Sequence, residues 1–189
     1  PQPLADAAAA VSVVALPDSA DSDPGQDSAW AIARVDGVAL AGPGAGRNRM
    51  FLRGVADSPF NGDSQSTVAV ILDESRLTYS APDPDIRLVD VDRVEVLKGP
   101  QGALYGTGAL GGIYRIVTRR PDASRTAFEV GAGGELLASG DLGGSISAMA
   151  NLPLARDVAA LRLVAYGAKD PGWVDTGGVA DSNTSTVVG

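Results

Sequence analysis

The chain has 189 residues, a hydrophobic fraction of 44% and a formal net charge of −8, from 15 basic and 23 acidic side chains. This composition excludes wholesale disorder, and the acidic balance argues against nucleic acid as a partner. Cysteine and histidine are both absent. Their absence removes disulfides, thiolate metal sites and the usual triads, so we expect no enzyme, no cofactor and no metal site. No run of about 18 apolar residues is present, so no transmembrane helix is expected.

The first two thirds of the chain alternate short strands with short helices. A patternless, flexible lead-in over residues 1–10 comes first, and turns are dense because the chain holds 24 glycines and 12 prolines. We expect an α+β domain over residues 11–121, built on a mixed β-sheet. β-branched and apolar runs predict its strands at residues 11–16, 49–55, 67–72, 93–98 and 113–118. The side chains expected in its core are Val68, Val70, Leu72, Val94, Val96, Ile113 and Val117.

Aspartates at two places predict the starts of short helices. Asp27-Ser28 can cap the first, and Asp83-Pro84-Asp85 can begin the second, because Asp favours the cap and Pro the first helical position. A turn or a single helical turn is expected over residues 101–105. The inner faces are expected to hold Ala29, Ile32 and Ala33 in the first helix, and Ile86 and Val89 in the second.

Four acids near the second helix suggest a calcium loop: Asp83, Asp85, Asp90 and Asp92. Their spacing lacks the turn glycine and the terminal Glu of such a loop. We therefore interpret Asp83 as a helix cap and the others as solvated acids.

The last third of the chain, residues 122–189, predicts an antiparallel meander of roughly three strands. Apolar residues alternate with polar or small ones around Phe128, Ile146 and Leu161, and glycine-rich turns separate the runs. Strands of transmembrane barrels alternate in this way, and so do strands of a soluble meander. The alternation alone leaves both interpretations open.

Four short motifs follow one another closely between Val91 and Pro121. Arg93-Val94-Glu95-Val96-Leu97-Lys98-Gly99-Pro100 is followed by Leu104-Tyr105-Gly106, then by Gly111-Gly112, then by Thr118-Arg119-Arg120-Pro121. This succession resembles the plug domain of TonB-dependent outer-membrane receptors, and the resemblance extends over about residues 11–175. Two positions depart from the family pattern: Arg115 stands where the family has Asn, and residues 11–15 are only faintly similar to the box that pairs with TonB.

The resemblance implies a function and a domain organisation. Residues 11–121 would be the plug, and residues 122–189 the first strands of an incomplete barrel-like sheet. The function implied is the plug region of an energy-coupled receptor that imports a scarce solute, such as an iron–siderophore, across the bacterial outer membrane. The partners implied are a TonB-type periplasmic coupling protein, the outer membrane, and a small solute or metal chelate. A secreted or cell-surface location is the alternative.

The resemblance also implies roles for particular side chains. Loops that contact the solute would carry Arg47, Asn48, Asn61, Gln65 and Tyr79, and the alternative interpretation is that these are ordinary exposed loop residues. Arg53 and Lys98 lie in predicted strands and would dock the plug on acids of the barrel wall, with an exposed rim position as the alternative. The motif residues expected to shape the plug are Gly54, Glu95, Gly99, Pro100, Tyr105, Gly106, Gly111 and Gly112.

The length of the chain raises a second interpretation. Only 68 residues follow Pro121 (189 − 121), far fewer than a barrel wide enough to hold a plug requires. The chain is then either part of a receptor or a short receptor-derived structural protein. In the latter case, unpaired strand edges at residues 125–132 and 161–168 would drive self-assembly into an oligomer or a filament. No charged and then apolar leader precedes Pro1, so we expect any signal peptide to be absent from this numbering.

Overall fold

A computed structural model describes residues 10–17, 26–41, 48–56, 67–77, 86–106, 108–137, 142–172, 174–178, 180 and 182–189. The chain divides into two compact units. The first unit comprises residues 1–16, 27–86 and 91–118, and the second comprises residues 17–26, 87–90 and 119–189. Among the described residues the fold is mostly β-sheet with two short helices, so the predicted α+β class applies only loosely.

The first unit contains a five-stranded sheet, a two-stranded sheet and both helices. The five strands stand in the order β1-β6-β7-β4-β5, and β2 pairs with β3. All neighbours in the larger sheet are antiparallel except β4 and β7, which run parallel. The elements are β1 (Ala10–Ala15), α1 (Ser28–Ile32), β2 (Val38–Ala41), β3 (Arg49–Leu52), β4 (Val68–Leu72), β5 (Ser75–Arg76), β6 (Val91–Lys98), α2 (Gly102–Tyr105) and β7 (Gly112–Thr118).

Residues 10–15, whose inner part is faintly similar to a TonB-pairing box, form a regular strand. Each residue of β1 has a partner on β6, from Ala10 opposite Lys98 to Ala15 opposite Arg93. The β-branched residues of this segment therefore serve the sheet, as the strand prediction expected.

The core of the first unit largely matches the prediction. Val68, Val70, Val94, Val96 and Ile113 are all buried. The prediction was wrong for Leu72 and Val117, which are only partly buried. Leu72 ends β4, and Val117 lies opposite Arg93 near the end of β7, on the face that carries the charged side chains.

Helix α1 begins where its capping residue predicts. Asp27 Oδ1 accepts a hydrogen bond from Trp30 N at 3.0 Å, which satisfies a backbone donor of the first turn. The predicted inner face was partly wrong, since Ala31 and Ile32 are buried whereas Ala29 and Ala33 are exposed.

The second predicted helix does not occur in the described residues 86–90. Leu88, not Val89, is the buried apolar side chain. Asp90 has φ +57°, a left-handed conformation that interrupts a helix and that Asp tolerates better than most residues. The starting residues, 83–85, lie outside the described part.

The second unit is a four-stranded antiparallel sheet in the order β11-β10-β9-β8. Three of these strands were predicted, and the fourth was not. It pairs with the last residues of β10, with Gly167 opposite Val188 and Ala168 opposite Val187. The edge expected to be unpaired over residues 161–168 is therefore covered at its C-terminal end. The strands are β8 (Ala127–Leu136), β9 (Leu142–Ala155), β10 (Ala159–Asp170) and β11 (Ser185–Val188).

The two faces of this sheet differ sharply in polarity. Asn151, Met149 and Ser145 alternate along β9 on one face, and all three are buried. The other face exposes a row of apolar side chains, which we call the apolar face: Phe128, Val130, Ile146, Leu154, Leu161 and Leu163. Within the described part of the chain, no helix is long and apolar enough to cross a membrane.

Candidate functional site

A charged cluster occupies one face of the sheet in the first unit. Arg115 of β7 lies directly opposite Glu95 of β6, and its Nη1 donates to Glu95 Oε2 at 3.4 Å. Arg115 also donates from Nη2 to Glu74 Oε1 and from Nε to the carbonyl of Asp73, both at 2.9 Å. Thus Arg115 ties strand β6 to the turn that joins β4 and β5.

Arg93 holds Glu95 from the other side. Its Nε donates to Glu95 Oε1 at 2.7 Å, and its Nη1 donates to Asp92 Oδ2 at 2.7 Å. These hydrogen bonds to Asp92 and Glu95 raise the pKa of Arg93, against a smaller opposing effect of desolvation. Glu95, one of the predicted motif residues, is therefore held between two guanidinium groups.

Asp73 fastens the end of β7. Its carboxylate accepts from Thr118 N and from Thr118 Oγ1, both at 2.8 Å. Asp73 has φ +51° and lies with Glu74 in the turn between β4 and β5. Through these bonds and those of Arg115, Asp73 and Glu74 connect this turn to β7.

The glycine motif after β6 closes a loop. Gly99 N donates to Gly111 O at 3.0 Å, and Gln101 N donates to Ala109 O at 2.9 Å. A Cβ atom on Gly112 would lie 2.2 Å from Leu97 O and 2.5 Å from a Leu52 methyl carbon. Only glycine fits there, because the approaching atoms include backbone.

The other motif residues lie around the same loop. Pro100 is the second residue after β6, Tyr105 is the last residue of α2, and Gly106 is the C-cap of that helix. Gly54 follows β3 in the turn to Val55.

The second unit holds two ion pairs between the segment 87–90 and strand β10. Arg162 donates from Nε to Asp90 Oδ2 at 2.6 Å and from Nη2 to Asp90 Oδ1 at 2.5 Å. The two side chains are only 11% and 7% exposed. Arg87, with 3% of its side chain exposed, forms the second pair with Asp170. Asp90 is therefore not the solvated acid that the sequence suggested.

Asn151 organises the turn that precedes β8. Its Oδ1 accepts from Asp122 N at 2.9 Å, and its Nδ2 donates to Asp122 O at 2.8 Å and to Arg125 O at 2.7 Å. Asp122 in turn accepts from Ser124 N and Oγ. These bonds with Ser124 lower the pKa of Asp122.

Few of the predicted contact residues can be placed. Arg47, Asn61, Gln65 and Tyr79 lie outside the described residues, and Asn48 lies half-buried just before β3.

The two predicted docking cations occupy different settings. The prediction that Arg53 lies in a strand was wrong. Because β3 ends at Leu52, Arg53 lies in an exposed turn, with φ +50°. Lys98 is the half-buried last residue of β6. Neither makes an ion pair with another described residue.

Sequence reasoning missed the two ion pairs of the second unit. One signal was available: Arg162 is the one charged residue in the otherwise apolar run from Ala159 to Ala168. A charge in such a run needs a partner when the strand is packed. The identity of that partner, Asp90, depends on folding over 72 positions of sequence.

We compared the chain with a family model and with known proteins. Residues 3–113 match the family model of the TonB-dependent receptor plug domain. The pesticin receptor of Yersinia pestis is 54% identical over 41 residues, which are 22% of this chain and 6% of that protein. The vitamin B12 transporter BtuB of Photobacterium profundum is 28% identical over 151 residues, 77% of this chain and 23% of that protein.

Solved structures share the fold. The ferric-catecholate import receptor Fiu from E. coli K12, in its open form, superposes with a TM-score of 0.62 at 20% identity, covering 89% of this chain and 22% of that chain. The chain spans less than a quarter of the length of each of these three proteins.

Proposed function

The chain belongs to the family of TonB-dependent receptor plug domains, and from that premise we propose that it is the plug region and first wall strands of an energy-coupled receptor. Receptors of this family lie in the bacterial outer membrane, and this chain is an outer-membrane component. The proposed cargo is a scarce solute, such as an iron–siderophore, and the proposed coupling partner is a TonB-type periplasmic protein.

The observation that carries the proposal is the apolar face of the second unit. Phe128 and Val130 on β8 and Leu163 on β10 stand exposed, whereas Asn151 on the opposite face of the sheet is buried. Soluble monomers rarely expose a contiguous apolar row of this kind, whereas strands of a transmembrane barrel turn apolar residues to lipid and polar residues inward. The chain thus joins a plug-type sheet to strands suited to a membrane wall.

The solute is proposed only as a class. The relatives named above include a vitamin B12 transporter and a ferric-catecholate import receptor, and both names describe a metal held in a large organic ligand. We infer a metal chelate as the substrate class. Arg47, Asn48, Asn61, Gln65 and Tyr79 are proposed to contact it, because their polar side chains can hydrogen-bond to a chelate or offset its charge.

Arg53 and Lys98 are proposed to dock the plug on acids of the wall. The exposed guanidinium of Arg53 is not paired among the described residues, which supports a role toward a partner. The measurement is passive leak through the whole receptor. Arg53→Ala should raise leak at normal expression, and unchanged leak would make Arg53 an ordinary exposed residue.

The transport proposal is tested with the whole receptor whose reading frame contains this chain. It is expressed in cells that lack their own catecholate and cobalamin receptors, with and without TonB. Uptake of a labelled ferric catecholate and of labelled cobalamin is then measured. The expected result is uptake of at least one chelate class that disappears without TonB. Uptake that is independent of TonB, or a receptor absent from the outer membrane, would overturn the proposal.

Self-assembly through open strand edges is the alternative function. It is supported by strand β8, which ends the four-stranded sheet and pairs on one side with β9. An unpaired edge beside an apolar face can add a strand from another chain. A stop codon near Gly189 in the gene would favour this alternative over the receptor.

A further inference from the structure

Two ion pairs join the segment 87–90 to strand β10. The segment supplies the cation in one pair and the anion in the other. On the segment, a cation and an anion stand three residues apart, at Arg87 and Asp90. On the strand, Arg162 and Asp170 stand eight residues apart and therefore on the same face. Each segment charge meets the opposite charge on the strand. A segment shifted along the strand would separate each charge from its partner, so the two pairs together specify one position of the segment on β10.

The burial of these charges makes the arrangement selective. Asp90 and Arg87 are 7% and 3% exposed, and an ion this deeply buried is tolerated only when paired. The pairing of Asp90 with Arg162 uses two parallel hydrogen bonds, the geometry in which guanidinium binds carboxylate most strongly.

Two backbone hydrogen bonds also hold the segment 87–90. Arg119 N donates to Asp90 O at 3.0 Å, and Leu88 N donates to Gln26 O at 2.9 Å. Asp90 directly precedes β6, and Arg119 directly follows β7. The chain entering β6 and the chain leaving β7 are therefore held together next to the ion pairs.

We propose that Arg87 and Asp90 are positioning residues that form a permanent ionic clasp on strand β10. The clasp fixes the chain at the ends of the two central plug strands, and it stays closed while cargo passes. Movement of the plug then occurs in segments other than 87–90. This inference rests on the proposed function, because cargo can pass a receptor that holds a plug only if part of the plug moves.

The first experiment compares two aspartates in the whole receptor. Asp90 and Asp157 both have φ +57°, so Asn replaces either one without new backbone strain. The side chain of Asp157 is 73% exposed, and its Oδ2 lies 4.0 Å from Arg156 Nε. Asp90→Asn should raise passive leak of a large antibiotic severalfold at equal receptor level in the membrane, and Asp157→Asn should leave it unchanged. Equal leak in both variants overturns the clasp.

The second experiment decides whether the clasp opens. This chain contains no cysteine, so in a receptor cleared of any cysteine elsewhere, Arg87→Cys with Asp170→Cys gives a unique thiol pair. A short bis-thiosulfonate reagent then links the pair reversibly. Without the linker, leak should rise; with it, leak should fall to the wild-type level, which a merely destabilised protein would not show.

The linked receptor is then assayed for TonB-dependent uptake. Uptake equal to that of the wild type supports a clasp that stays closed. Loss of uptake on linking, restored by reductant, overturns the inference because the segment would then have to move. Absence of uptake in the wild type would instead count against the proposed function, so the two failures are distinguishable.

Discussion

The side-chain amide of Asn151 pairs with the backbone of Asp122 in both directions, accepting from its N–H at 2.9 Å and donating to its carbonyl at 2.8 Å. A third bond reaches the carbonyl of Arg125. Asn151 is buried, so no water can readily replace these bonds. The turn that leads into β8 is therefore held from the centre of β9.

Replacement of Asn151 should be costly. Asn151→Ala leaves partly buried backbone groups of Asp122 and Arg125 without these partners, which lowers the free energy of unfolding by about 1–3 kcal/mol. Urea unfolding of the chain measures the change. Asn183→Ala is the matched control, since Asn183 accepts from Val174 N in an exposed loop and should cost under about 1 kcal/mol. Equal losses in the two variants would contradict the assigned role of Asn151.

Gly112 should not tolerate any side chain. Gly112→Ala brings a Cβ atom against Leu97 O and Leu52, and the backbone must shift because a carbonyl cannot rotate away. The variant should lose at least about 3 kcal/mol or fail to fold. Gly102→Ala is the control: it lies in α2 with open space around it, and alanine favours a helix there by up to about 1 kcal/mol. A Gly112→Ala chain as stable as wild type would show that the close approach is absent.

The charged cluster should depend on Arg115 much more than on Glu74. Glu74 is 90% exposed, and exposed pairs contribute about 0–1 kcal/mol. Arg115 also serves Glu95 and the Asp73 carbonyl, so Arg115→Ala should cost about 1–3 kcal/mol and Glu74→Ala under about 0.5 kcal/mol. Thermal melting of both variants, in low and high salt, measures the difference. A larger loss from Glu74→Ala than from Arg115→Ala would refute the ranking.

Asp122 gives a pH dependence with a definite sign. In the folded protein, hydrogen bonds with Ser124 lower the pKa of the Asp122 carboxyl below the ordinary Asp value. A carboxyl whose pKa is lowered by folding adds stability above its unfolded pKa, and that stability disappears as pH falls through the folded pKa. NMR titration of the Asp122 carboxyl should show the low pKa, and Ser124→Ala should raise it. An unchanged pKa in Ser124→Ala would show that another group causes the shift.

Local sequence predicted most of the strands but missed β2, β5 and β11, and it predicted the long-range contacts poorly. Strand β6 follows from a β-branched run that Gly99-Pro100 must end, and Asp27 marks the start of α1. The charge on Asp90 was visible, but its burial was not, because its partner Arg162 lies 72 residues away. Likewise, strand β11 has only four residues, too short for its alternation to be distinguished from a loop before its pairing with β10 is known.

The isolated 189-residue chain should not be monomeric in water. Its apolar face has no cover among the described residues, and β8 presents an edge beside that face. Val130→Lys, on β8, places a charge on the apolar face and should reduce association. Val158→Lys is the matched control, because Val158 is 83% exposed against 84% for Val130 but lies in the turn between β9 and β10. Light scattering at matched concentrations gives the masses. A monodisperse wild-type monomer would rule out the prediction, and equal effects of the two lysines would show that net charge, rather than the apolar face, controls association.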